Sequence, residues 1–223
     1  MRVSRRFLRT AALAAILALG LAGTALAANR MWTGGGGDKK WGTAANWDSG
    51  IPGTGDKAII TAGAEVKVDG AAAAQVVDLA EGAKLTLNAK LELDNGGALR
   101  ASGNATVTSK AAGGLTFTTT NNVIVSAGKT LTLAAEGAGT IVGAADDLKL
   151  SDLGTLTLKT PVRTVDDLRI EDGGTLVVDV DDALPALDGS GSTLVEIPKG
   201  NLVVSMRGTS ATPSRSCTWM TAT

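Results

Sequence analysis

The chain has no histidine and no tyrosine, one cysteine, and only two phenylalanines among its 223 residues. Each absence removes a chemistry. Without imidazole there is no Ser-His or Cys-His nucleophile pair and no histidine general base. Zinc sites of the usual His or multi-Cys kind are excluded too. Cys217 has no partner for an internal disulfide, so the core holds without covalent staples, even in an oxidising compartment. Clustered cations are also missing. Beyond the first 27 residues Lys and Arg are scattered singly, apart from Lys39-Lys40. Nucleic acid, whose phosphates ask for grouped positive charge, is therefore not an expected partner.

Long apolar runs are confined to the start. Arg2, Arg5, Arg6 and Arg9 precede Ala11 to Ala22, a run built only of Ala, Leu, Ile and Gly, and Ala25-Leu26-Ala27 follows with small residues. These are the three parts of a secretory signal. The run is too short to cross a bilayer core of about 30 Å, which favours a cleaved leader over an anchor. No cysteine follows it, so the leader is not of the lipoprotein kind. Ser4-Arg5-Arg6-Phe7-Leu8 partly matches a twin-arginine pattern, with Arg9 where an apolar residue belongs, so both export routes stay open. The expected location is the periplasm, the cell surface or the extracellular space, with no integral membrane segment in the mature chain. Removing residues 1–27 takes away four Arg and no acid, and the remaining 17 basic and 22 acidic residues give a net charge of −5.

What is abundant is repetition. Gly82-Ala-Lys-Leu85-Thr-Leu87 returns as Gly128-Lys-Thr-Leu131-Thr-Leu133, Gly154-Thr-Leu156-Thr-Leu158, Gly174-Thr-Leu176-Val-Val178 and Gly200-Asn-Leu202-Val-Val204, with Thr106-Val107-Thr108 filling the gap. A finer ladder of eight residues runs through Leu91, Leu99, Val107, Leu115, Val123 and Leu131. Apolar residues alternating with Thr, Lys or Asp put one face inward and one outward, and Gly, Asn and Asp between the runs form turns. Three eight-residue sides make one coil of the coarse repeat. The predicted fold is all-β: a right-handed, three-sided parallel β-helix of about six to seven coils. The alternative is a β-sandwich. It is disfavoured because the hairpin dipeptide Asn-Gly occurs only at Asn95-Gly96. Ala71 to Glu81, although Ala-rich, is read as strand. The expected organisation is a cleaved signal at 1–27, a Trp/Gly-rich N-terminal capping segment at 28–60, the β-helix at 61–206 and a disordered or aberrant tail at 207–223.

Residues 32 to 60 carry three of the four tryptophans: Trp32-Thr-Gly34, a glycine run, Trp41, Asn46-Trp47, Pro52, Asp56 and Ile59-Ile60. A solenoid must cover its open end. Trp32, Trp41, Asn46, Trp47, Pro52 and Asp56 are the candidate cap; a sugar-stacking platform is the other reading of the rings. This segment, with Ala74-Gln-Val-Val-Asp-Leu-Ala-Glu-Gly-Ala-Lys-Leu-Thr-Leu87 behind it, resembles the N-terminal part of the β-helical passenger region of bacterial autotransporter-type surface proteins. The resemblance covers about residues 30 to 205 and is strongest at the front. It implies roles such as adhesion and carries over no catalytic residue. The membrane β-barrel that ends such proteins has no counterpart here.

Other motifs fail on context. Ala127-Gly128-Lys129-Thr130 lacks the glycine a phosphate loop needs five places earlier, where Val123 stands. Ser126-Ala-Gly-Lys129 lacks the companions of a Ser-x-x-Lys nucleophile. Both read as a turn. Gly34 to Gly37, with no strand expected before it, is not a dinucleotide loop. The acidic pairs Asp146-Asp147 and Asp166-Asp167 lie 20 residues apart, about one coil. They suit calcium or glycan acid–base chemistry, against the simpler reading of solvated corners.

The expected function is a secreted or cell-surface structural and adhesive module without catalysis and with no cofactor or metal, its partners glycans or host and cell-surface components. The alternatives are a carbohydrate-binding or polysaccharide-degrading β-helix that uses the acids, and a surface-lattice subunit. Beyond Met206 the composition changes: there is no Leu, Ile, Val or acid, and the stretch holds Cys217 and Trp219. That change predicts a truncated or frame-shifted piece of a longer protein.

Overall fold

Among the described residues the alternating runs form strands and Gly-bearing intervals such as Ser126 to Lys129 form corners, whereas Asn95-Gly96-Gly97 lies inside the strand Leu91–Ala101. The computed structural model describes residues 27–118, 121–142, 148–159, 162–163, 167–170, 174–180, 187–188, 194–196 and 201–206. The signal (residues 1–26 of it) and the tail at 207–223 lie outside the described residues.

The described structure is all-β, 52% strand and 2% helix. Every pairing between described strands is parallel. That excludes the sandwich, which needs antiparallel neighbours. One side is a seven-stranded sheet stacked in chain order: Glu65–Val68, Lys84–Leu87, Ala105–Ser109, Thr130–Ala135, Thr155–Lys159, Thr175–Val180 and Asn201–Met206. The other two sides share a twelve-stranded sheet. They fuse because Ala72–Leu79 and Leu91–Ala101 are long strands that serve both sides. A register shift between Ala74 and Val76 lets the first of these pass from one side to the next. Later coils break at the same place into separate short strands: Leu91 to Leu93 pairs with Leu115–Phe117, and Ala98 to Ala101 with Asn121–Val125. The architecture is a three-sided β-solenoid. The solenoid has about five turns, fewer than the six to seven coils expected from the repeat. Ala72–Leu79 is strand, as expected.

The core is a set of columns running along the solenoid. Leu91 stacks on Leu115, and Leu99 on Val123, in the register the eight-residue ladder predicts. All four are fully buried. The third rung of that ladder is displaced. Val107 pairs with Leu133, not Leu131, and Leu131 pairs with Ala105. The cause is a corner: three residues separate Ala101 from Ala105, whereas five separate Val125 from Leu131. An insertion of two preserves the inward–outward alternation, so both leucines stay buried and periodicity alone does not reveal the slip. Beyond it the register runs as expected, Leu131 to Leu156 to Leu176 to Leu202. Each buried leucine contributes about 1.5–3 kcal/mol relative to exposure.

Two corners show how closely the coils approach. A Cβ on Gly139 would lie 1.9 Å from the Ser109 carbonyl oxygen of the coil before it, so no side chain fits. Gly128 sits instead in open space at φ 69°, where it closes a turn in which the Lys129 amide donates to the Ser126 carbonyl at 2.9 Å. That is the turn expected for Ser126 to Lys129. Ser109 points inward in register with Leu87 and is fully buried. Its hydroxyl donates across the coil gap toward the Thr140 carbonyl (2.9 Å), with the Ala111 carbonyl at 3.1 Å, which satisfies the one described polar hydroxyl in an apolar column.

Candidate functional site

The first 30 described residues build a distinct end to the solenoid. Asn29–Met31 pairs in parallel with Lys57–Ile60, which pairs with Ala72–Leu79, so the β-ladder begins inside the segment assigned to the cap. The glycine run at 34–37 therefore does follow a strand, contrary to expectation. It still opens no helix beyond the three-residue turn Ala44–Asn46, so no helix N-terminus waits there for phosphate.

Trp32, Trp41 and Trp47 converge. Trp47 lies edge-on to Trp32 (5.1 Å between centroids, 88°) and to Trp41 (4.9 Å, 71°). Their exposures are 5%, 2% and 4%, and all three join the same apolar cluster as Ala58, Ile60 and Val66 of the first coil. Rings this deeply covered offer no open face to a sugar. The Trp47 indole donates to the Trp41 carbonyl at 2.7 Å, while the buried Trp41 Nε1 has no partner.

Asn46, fully buried, ties the surrounding loops together. Its Nδ2 donates to Asp38 Oδ1 (2.7 Å) and to the Lys40 carbonyl (2.9 Å), and its Oδ1 accepts from the Gly36 amide (2.8 Å). Asp38 also accepts from the Thr43 hydroxyl (2.6 Å) and the Lys40 amide (3.0 Å). The Thr43 hydroxyl, the Lys40 amide and Asn46 together hold its carboxyl down to about 2. Pro52 is buried. Asp56 accepts from the Ala28 and Gly53 amides and from Arg30. Burial opposes its charge, but those donors outweigh burial and lower its pKa. At this end the three rings lie inside, Asn46 and Asp56 tie the loops with hydrogen bonds, and Pro52 is buried.

The strand edges at this end are occupied by chain. The Lys67 amide donates to the Lys39 carbonyl and the Trp41 amide to the Lys67 carbonyl, so residues 39–41 lie along the first strand of the seven-stranded sheet. Met31 exchanges with Asp48 through its amide, which donates to the Asp48 carboxylate, and its carbonyl, which accepts from the Asp48 amide. The Arg30 guanidinium donates to the Ser49 carbonyl.

Along one corner of the coils runs a polar ladder that periodicity does not single out. The Glu81 carboxylate accepts from the Asn104 amide, from Asn104 Nδ2 and from Lys129 Nζ, two coils away in sequence. Asn104 Oδ1 accepts from the Thr130 amide. These donors, Asn104 first, lower the Glu81 pKa. Glu65 does the same between Lys39 and Lys84, and its pKa is lowered by them in that order.

Of the acidic candidates, Asp146, Asp147 and Asp166 lie outside the described residues. Asp167 opens the strand Asp167–Ile170, its backbone in register with Leu194, but its side chain lies outside as well. Among the described residues no group of three acidic or cysteine side chains is placed to hold a metal ion, and no helix is long and apolar enough to cross a membrane.

The fold and its closed N-terminal end define the chain as a β-solenoid protein. No protein family, no curated protein and no solved structure matches it.

Proposed function

We propose that the chain is a structural and adhesive module of an exported, autotransporter-like surface protein, without catalysis of its own. One observation carries the reading: the described carboxylates with lowered pKa all bond across loops or coils. Asp38, Asp48, Asp56, Glu65 and Glu81 each accept hydrogen bonds or ion pairs from neighbouring segments. Acids used this way brace neighbouring segments of an extended surface, their oxygens already accepting from named donors. The candidate leader at 1–27 and the stacked outer faces fit display outside the cytoplasm. Glycans or other cell-surface components are the partners such a surface would meet.

The test is to express the full gene in a bacterium, fractionate the cells and sequence the N-terminus of the recovered protein. The expected product begins at Ala28 and lies outside the cytoplasm. Intact Met1 on a cytoplasmic protein overturns the export half of the reading. Turnover of a polysaccharide that disappears in Asp166→Asn or Asp167→Asn overturns the non-catalytic half.

A further inference from the structure

The outward positions of the seven-stranded sheet form a grid of threonines. Parallel register places Thr130, Thr155 and Thr175 in one column and Thr106, Thr132 and Thr157 in the next, two residues along each strand. Thr86 and Thr108 form a shorter third column that opens on Lys67 and continues through Ala134. No register shift interrupts this sheet, whereas one does interrupt the twelve-stranded sheet. The hydroxyl of none of these threonines has a hydrogen-bond partner in the protein among the described residues, and each residue is half-buried, with part of its side chain open to solvent. The grid is bounded by charge and by an apolar residue: Lys84 stands before Thr106 and Val177 after Thr157 in the second column, and Lys67 stands before Thr86 and Lys159 beyond Ala134 in the third. There is no aromatic ring on the grid, and the three described tryptophans are buried elsewhere.

We infer that this face binds the surface of ice. The argument is geometric and chemical. Neighbouring parallel strands repeat about every 4.8 Å, and alternate residues along a strand about every 6.6 Å. The prism plane of hexagonal ice repeats its oxygens at two perpendicular distances close to these. Threonine offers a hydroxyl that joins a water lattice and a methyl that orders the waters around it. Its β-branched side chain is stiff, so the grid is set before binding and little rotamer entropy is lost. Glycans are the weaker fit, because sugar recognition leans on exposed aromatic faces and this sheet has none. The inference stands apart from the export proposal, since it concerns one face of the folded solenoid in any location.

The experiment follows single ice crystals growing in a solution of the purified protein, and measures the gap between melting and freezing points. Faceted crystals and a measurable gap are expected. The variants Thr132→Lys and Thr157→Tyr, both outward, should each lose the gap while circular dichroism stays unchanged. The control Arg100→Gln, on a different side of the solenoid, should keep it. Disc-shaped crystals growing as in buffer overturn the inference at the wild-type stage. So does a gap that persists in both threonine variants, and so does glycan binding by this face with no effect on ice.

Discussion

The capped end and the coils behind it exclude water in different ways. Between Asn29 and Ile60, apart from the short ladder of Asn29–Met31 on Lys57–Ile60, the side-chain contacts are individual ones. Asn46 meets Gly36, Asp38 and Lys40, the Trp47 indole meets one carbonyl, and Asp56 gathers two amides and Arg30. In the coils one contact is reused: an inward Leu or Val on its counterpart one coil away, as in Leu131, Leu156 and Leu176. The repeat is indifferent to which leucine is which, so it tolerates the two-residue slip at Ser126 to Thr130 without burying a polar group. The end cannot tolerate such a slip, because moving Asn46 leaves several buried donors and acceptors unpaired at once. Specificity of register at the end, economy along the length: a quasi-one-dimensional protein needs both, since each coil is held only by its neighbours.

The contrast can be broken from either side, and the tryptophans supply the readout. Three of the four lie at the end, so their fluorescence reports the cap while circular dichroism reports the strands. The largest effect is expected from Leu156→Asp, which buries an unpaired charge in a fully covered column and should cost more than about 4 kcal/mol locally. Strand signal should fall while the cap fluorescence persists. Simultaneous loss of both would mean that end and coils unfold as one unit. Trp47→Ala strikes the other region. It removes the ring that bridges Trp32 and Trp41 and should cost about 3–4 kcal/mol by denaturant titration. Here the fluorescence transition should move to lower denaturant, with the strand transition following less.

Asn46→Ala comes next, at about 2 kcal/mol, since it strands the Gly36 amide and weakens Asp38. A melting temperature equal to wild type would show that the Asn46 contacts do not hold the end. The acid side of the stability profile provides a subtler probe. Asp38 has a folded pKa of about 2 against an ordinary 3.8, so the folded state binds fewer protons between those values. Its contribution is complete above the ordinary value and is lost as pH falls from about 4 toward 2. Asp38→Asn should flatten that part of the profile, read by thermal melts at stepped pH. The smallest effect is expected from Lys129→Ala. It removes a half-exposed partner of Glu81 that solvent already screens, and Glu81 keeps both bonds from Asn104. The midpoint should not move measurably, and a clear drop would show that the corner ladder holds coils together more strongly than its exposure implies.

The Leu-x-Leu units, the eight-residue spacing and the scarcity of hairpin turns were enough to read a parallel solenoid, the strand at Ala72–Leu79 and the turn at Ser126 to Lys129. Those features depend on local alternation and on glycine chemistry, which a chain carries in its own order. The candidate cap was legible as a list of residues, because three tryptophans in sixteen positions stand out against a chain so poor in aromatics. Its wiring was not. Nothing in the spacing of Asp38 and Asn46 says that one carboxylate oxygen receives the amide of the other, or that Asn29–Met31 would lie beside Lys57–Ile60 ahead of the first repeat.

By itself, then, the sequence determined the strand class, the inward face of strands such as Lys84–Leu87, Ala105–Ser109 and Thr155–Lys159, and the chemistries closed to a chain without histidine. It did so because side-chain alternation and composition are properties of neighbours along the chain. Only the tertiary structure decided which rung meets which: Val107 on Leu133, two sides of the solenoid fused by a bend at Ala74 and Val76, and the threonines of separate strands drawn into columns. Register between coils depends on the length and shape of every corner between them. A two-residue difference in a corner changes the partner and leaves the pattern intact.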